Sequence, residues 1–129
     1  MNLDYYCTSP TGAGCIVEIS PDALRAALTW ADSDGNADFR LGANTPDEAP
    51  YLRLVVAEGR WYLWFVPDDG STGFHSLGDS TCDAMRHMPA GEDIWVPENS
   101  LVDAKTDTQA AVEFLATGKL PTSLEWFEL

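Results

Sequence analysis

With 129 residues, 45% of them apolar, the chain is long enough for one domain with a buried core. Twenty-one acidic residues against seven basic ones give a formal net charge of −14, a balance that repels nucleic-acid phosphates and anionic lipid and favours a basic protein partner. No apolar run reaches the about 18 residues of a membrane span, and MNLDYYCTSP lacks the basic start and apolar stretch of a signal peptide, so the expected location is the cytoplasm.

In chain order, residues 3–7 and 15–19 are expected to pair as a hairpin around the turn-rich TSPTGAG. Ser20-Pro21-Asp22 then opens a helix, with a serine cap, a proline at the first position and an acid suited to the dipole. Leu24, Ala27, Leu28 and Ala31 share one of its faces, and Gly35 breaks it. Residues 37–43 alternate as a strand, and 44–50 (NTPDEAP) form a polar connector. Residues 51–57 and 61–66 are rich in β-branched and aromatic side chains, with Glu58-Gly59 as the tight turn between them. In the second strand Trp61, Leu63 and Phe65 point one way and Tyr62, Trp64 and Val66 the other. Apolar residues on both faces predict a central strand, covered by helices on one side and by loops or a partner on the other.

A turn at 67–70 leads into a glycine-bearing strand over 71–77, expected towards an edge, then an aperiodic loop over 78–91 and a short strand at 94–96. Asp103 caps a last helix in which Ala111, Phe114 and Leu115 form the buried stripe; Gly118 suits the left-handed stop and Pro121 blocks continuation. Leu124 and Trp126 alternate with Glu125 and Phe127 in a closing strand. The sum is a single α+β domain over 1–129: a mainly antiparallel curved β-sheet with two helices packed on one face.

The stretch 110–128 (AAVEFLATGKLPTSLEWFE) resembles the C-terminus of the first-numbered immunity family of bacterial polymorphic toxin systems. Ala110, Ala111, Phe114 and Leu115 match its alanine- and phenylalanine-rich helix, Thr117, Gly118 and Pro121 its TG-x-x-P-like turn, and Leu124 and Trp126 its tryptophan-bearing strand. Leu120 stands where the family usually carries arginine. The order of elements matches over nearly the whole chain. The resemblance implies a non-catalytic inhibitor that binds one cognate basic toxin domain, secreted or delivered by contact in interbacterial competition, and occludes its active site. Within the family the likeness is to immunity proteins of DNA cytosine deaminase toxins.

Motifs for other chemistry are incomplete. Gly78-Asp79-Ser80 is similar to an esterase nucleophile block, yet no histidine follows His87 to serve as base, so Ser80 is expected to lie in a polar turn. His75, Asp79, Cys82 and His87 have zinc-ligand chemistry but not an established spacing, so no metal is expected. The acid pairs Asp47-Glu48, Asp68-Asp69 and Glu92-Asp93 fall in turn-like stretches, and there is no glycine-rich phosphate loop, so no catalytic residue and no cofactor are expected. Cys7, Cys15 and Cys82 are an odd set expected to stay reduced.

Contact with the toxin is expected on the 67–80 region, helped by the 44–50 and 88–93 loops. The expected contact residues are Asp68, Asp69, Phe74, Asp79, Glu92, Asp93 and Trp64. Trp61, Trp95 and Trp126 are expected to pack in or beside the sheet. A serine hydrolase using Ser80 and an acidic scaffolding module are the alternative readings; neither nucleic acid nor membrane is an expected partner.

Overall fold

The structure is a computed structural model, and it describes residues 1–7, 12–43, 48–89 and 93–129. Among these residues nine strands and two α-helices follow one another: β1 (Asn2–Cys7), β2 (Gly12–Ile16), α1 (Pro21–Asp34), β3 (Ala37–Gly42), β4 (Tyr51–Ala57), β5 (Arg60–Val66), β6 (Phe74–Leu77), β7 (Met85–Met88), β8 (Ile94–Pro97), α2 (Ala104–Thr117) and β9 (Glu125–Glu128). A 3-10 turn, Glu98–Ser100, joins β8 to α2. Seven strands form one antiparallel sheet in the order β2-β1-β3-β4-β5-β6-β9, and β7 and β8 form a separate two-stranded sheet. This is the expected α+β fold.

Local chemistry sets the element boundaries. Ser20 Oγ accepts from Ala23 N at 3.1 Å at the start of α1, and Gly35 N–H donates to Ala31 O at its end. Asp103 Oδ1 accepts from Thr106 N at 2.8 Å to start α2, and Gly118, at φ 67°, closes it by donating to Phe114 O. Between β4 and β5, Glu58 (φ 54°) and Gly59 (φ 72°) are both left-handed. Two such residues make the hairpin turn whose twist matches the strands it joins, and it sets the register Val55↔Tyr62 and Leu63↔Leu54.

The core lies between the sheet and the two helices. Leu3, Phe39, Leu41, Leu52, Leu54, Trp61 and Leu63 line the sheet's inner face and meet Leu24, Leu28, Ala110, Ala111 and Phe114 from the helices. Phe39 stacks on Trp61 at 6.2 Å between centroids, and Phe65 meets Phe114 edge-on at 5.9 Å. A second core sits on the opposite face, where Met88 and Val96 of the β7–β8 hairpin, with Leu101, cover Val55 and Ala57. The covering expected over the far side of the central strands is therefore this hairpin.

Four expectations need correction. The second strand ends at Ile16 and not at 19, because the chain turns at Glu18 (φ 52°) and sends Ile19 into the core. The strand expected over 71–77 is only Phe74–Leu77; it lies towards an edge as expected, next to last in the sheet, with β9 paired along its outer side. Within 78–91, expected as loop, Met85–Met88 is a strand that owes its existence to β8. On α2, Leu115 is only partly buried and Asp107 joins the buried stripe with Ala110, Ala111 and Phe114. Among the expected turns and connectors, residues 8–11, 44–47 and 90–92 lie outside the described residues.

Candidate functional site

Strand alternation decides which side chains the helices leave uncovered. Pairing registers place Asp38 and Arg40 of β3, Tyr51 and Arg53 of β4, Tyr62 and Trp64 of β5, His75 of β6 and Phe127 of β9 on the face opposite the helices. Two aromatic rows run across it. In one, Tyr62 lies 5.9 Å from His75, which stacks on Phe127 at 5.2 Å. In the other, the Arg40 guanidinium sits 6.0 Å over the Tyr51 ring, and Tyr51 meets Trp64 edge-on at 6.4 Å. Between them Arg53 donates to both carboxylate oxygens of the buried Asp38, at 3.0 and 2.7 Å, a bidentate pair whose geometry fixes this part of the face. Burial pushes the Tyr62 phenol up to about 12, against the smaller opposing pull of the Arg53 charge.

The expected contact residues divide among several places. Trp64 is half-buried on the helix-free face, and its indole N–H donates to Thr72 O at 3.0 Å, holding the 67–73 segment beside it. Asp68 and Asp69 are exposed on that same segment. Asp69 Oδ1 accepts from Ser71 N at 2.9 Å, and these hydrogen bonds to Ser71 lower its pKa. Phe74 does not join them: it pairs with Phe65 on the helix side and packs against the main core. Strand alternation sends it there while its neighbour His75 faces the other way.

Asp79 lies beyond the far end of β6, so that strand separates it from the 67–73 segment. It borders a polar cleft of about 560 Å³ with Arg60, Ser80, Asp103, Ser123 and Glu125. Gly78 forms the wall of this cleft because its backbone runs directly against the Leu101 carbonyl, where any Cβ would collide. Ser80 Oγ accepts from Cys82 N at 3.1 Å in a local turn, and neither histidine lines the cleft. His75 Nδ1 is 2.8 Å from Ser76 O, and His87 lies on β7. Asp93, beside the start of β8, is 3.3 Å from His87. Glu92 lies outside the described residues.

No three His, Cys, Asp or Glu side chains among the described residues converge in a metal-binding group. None of the three cysteines forms a disulfide: Cys7 lies opposite Gly12 and Cys15 opposite Asp4, so the two do not face each other across the hairpin. A hydrogen bond to Asp4 raises the Cys15 thiol pKa.

Sequence reasoning missed the outer face of the β7–β8 hairpin. Trp95, expected to pack, is 63% exposed, and Met85 on the paired strand is 56% exposed. A signal for this was present: Ile94 and Val96 flank Trp95, and a two-stranded hairpin covers only one face of the main sheet. If its isoleucine and valine point inward, its tryptophan must point out. The residues carrying the C-terminal resemblance are scaffold by contrast. Ala110, Ala111 and Phe114 are buried, Gly118 caps α2, and the Trp126 indole donates to Pro121 O at 2.8 Å, tying β9 to the turn before it.

Compared with known families, the chain matches the one described as Immunity protein Imm1 over residues 4–128. No curated protein matches it. The match spans nearly every element of the fold, and the chain belongs to the Imm1 immunity protein family.

Proposed function

We propose that this member of the Imm1 immunity family binds one cognate toxin domain, a nucleic-acid deaminase, at a one-to-one ratio in the cytoplasm and silences it by covering its active-site mouth. Family membership over residues 4–128 is the observation that carries the inhibitory role. The charge of −14 supports the choice of target, because an enzyme that acts on nucleic acid presents cations to its substrate. An anionic body competes for those same cations. Long-range attraction speeds encounter, and a few desolvated aromatic and hydrogen-bonded acidic groups set the lifetime of the complex. The likeness of the 110–128 tail to immunity proteins of DNA cytosine deaminase toxins supports the enzyme class.

The proposal needs no catalytic group in this chain: occlusion requires only a rigid, complementary face. The sheet and the two cores behind it supply that rigidity. The test is co-expression with the toxin domain encoded beside this gene. Rescue of growth, inhibition of deamination by the purified pair and a one-to-one mass by light scattering are expected. A neighbouring toxin that stays fully lethal, or one that is inhibited but does not deaminate, refutes the inhibitory role or the enzyme class respectively.

A further inference from the structure

Resting on the reading just proposed, we infer that the outer face of the β7–β8 hairpin is the anchor of the toxin interface, with the Trp95 indole and the Asp93 carboxylate together receiving a lysine or arginine of the partner. The two-stranded sheet spends its inner face on the molecule's own core, through Met88 and Val96 against Val55 and Ala57. Its outer face has no such task. The register pairs Met85 with Pro97 and His87 with Trp95, placing Met85, His87 and Trp95 side by side on that face.

Exposure is the first argument. Trp95 at 63% is among the most exposed of the large apolar residues, and Met85 at 56% shares its face. An indole left in water gives the fold nothing, whereas tryptophan is the residue type most enriched among binding hot spots. Charge is the second. Residues 78–98 hold five acids, Asp79, Asp83, Glu92, Asp93 and Glu98, against Arg86 as the sole lysine or arginine. Arg86 is itself drawn to Glu98, at 3.4 Å, and Arg60 holds the same carboxylate at 2.8 Å, which lowers the Glu98 pKa. The segment thus offers an exposed aromatic ring in an anionic setting. His87 leans on the indole at 5.1 Å with its Nε2 3.3 Å from Asp93, so ring and carboxylate are held within one cluster. A cation over an indole and against a carboxylate gains from both, and the gain rises as the contact is desolvated.

The other large exposed apolar groups among the described residues are Trp30 on α1 and residues towards the two ends of the main sheet: Tyr6 of β1 and Ile16 of β2 with Val17 at one, Phe127 and Leu129 at the other. The strand at the second edge carries Glu125 and Glu128, and short charged edges are how sheets avoid pairing with other chains. The hairpin has an aromatic anchor, an adjacent acid and an unused face in one place.

The experiment measures binding of the catalytically inactivated neighbouring toxin domain by surface plasmon resonance. Trp95→Ala is expected to raise Kd by about thirtyfold or more, chiefly through faster dissociation. Asp93→Lys, at an exposed position, is expected to raise it by about tenfold, while Trp95→Phe retains most of the affinity by keeping an aromatic face. Circular dichroism and the melting midpoint of each variant should match the parent. Affinities of Trp95→Ala and Asp93→Lys both within about threefold of the parent overturn the assignment. A large loss for Phe127→Ala or Val17→Ala in their place moves the interface to a sheet edge. Failure of the parent chain to bind refutes the inhibitory role itself, and the hairpin assignment with it.

Discussion

Asp107 offers the sharpest test of the energetics. It lies on α2 with no accessible surface, and neither carboxylate oxygen has a hydrogen-bond partner among the described residues. Burial raises its pKa well above 3.8, and the nearby Asp32 carboxylate, itself accepting from the Trp61 indole at 2.9 Å, adds to the rise. Unfolded chains release this proton near 3.8, whereas the folded chain keeps it. The unfolded state therefore binds fewer protons, so stability falls as pH rises above 3.8 and levels off only past the folded pKa. Each pH unit between the unfolded and the folded pKa costs the parent about 1.4 kcal/mol. Asp107→Asn keeps the shape and never ionises. Urea unfolding between pH 5 and 8 should show the variant more stable than the parent by a margin that widens with pH until the folded pKa is passed. Parallel stability curves across this range would refute the reasoning, since both proteins would then have the same proton balance.

Three further outcomes follow from the same structure. Reversing Asp68 and Asp69 to lysine should slow toxin association by about tenfold at low salt and flatten its salt dependence; unchanged association kinetics would remove that turn from the interface. Asp103→Ala removes the α2 cap and should cost about 1 kcal/mol in chemical denaturation. Because the hydrogen bonds to Thr106 lower the Asp103 pKa, this contribution is present above 3.8 and fades as pH falls through the folded value, so the variant and parent should converge in acid. Asp38→Ala should cost about 3–5 kcal/mol by leaving the buried Arg53 without its bidentate acceptor, and replacing both residues with apolar ones of similar size should recover most of it.

How far the fold is legible in the sequence depends on the range of the forces involved. Helix starts and stops are local: Ser20, Gly35, Asp103 and Gly118 act on backbone groups within a turn of themselves, and each does what its residue type predicts. The Glu58-Gly59 turn and the two-faced alternation of β5 are local as well. The tail motif identifies the family because scaffold positions, fixed by the core, are what relatives share.

Position in the sheet and exposure are not local. A strand as weak as Met85–Met88 forms only because β8 pairs with it, and β6 is interior only because β9 arrives from across α2. Phe74 faces the core and Trp95 faces water for the same reason: alternation says that neighbours oppose each other, but only packing says which side is covered. Asp107 sits on a helical stripe that reads as amphipathic, and the approach of α1 turns it into a buried carboxyl. The sequence by itself determined the two helices, most of the strands, the charge and the family. Tertiary structure decided which apolar groups remain exposed for a partner, because burial is a sum over contacts far apart in the chain and no short window contains them.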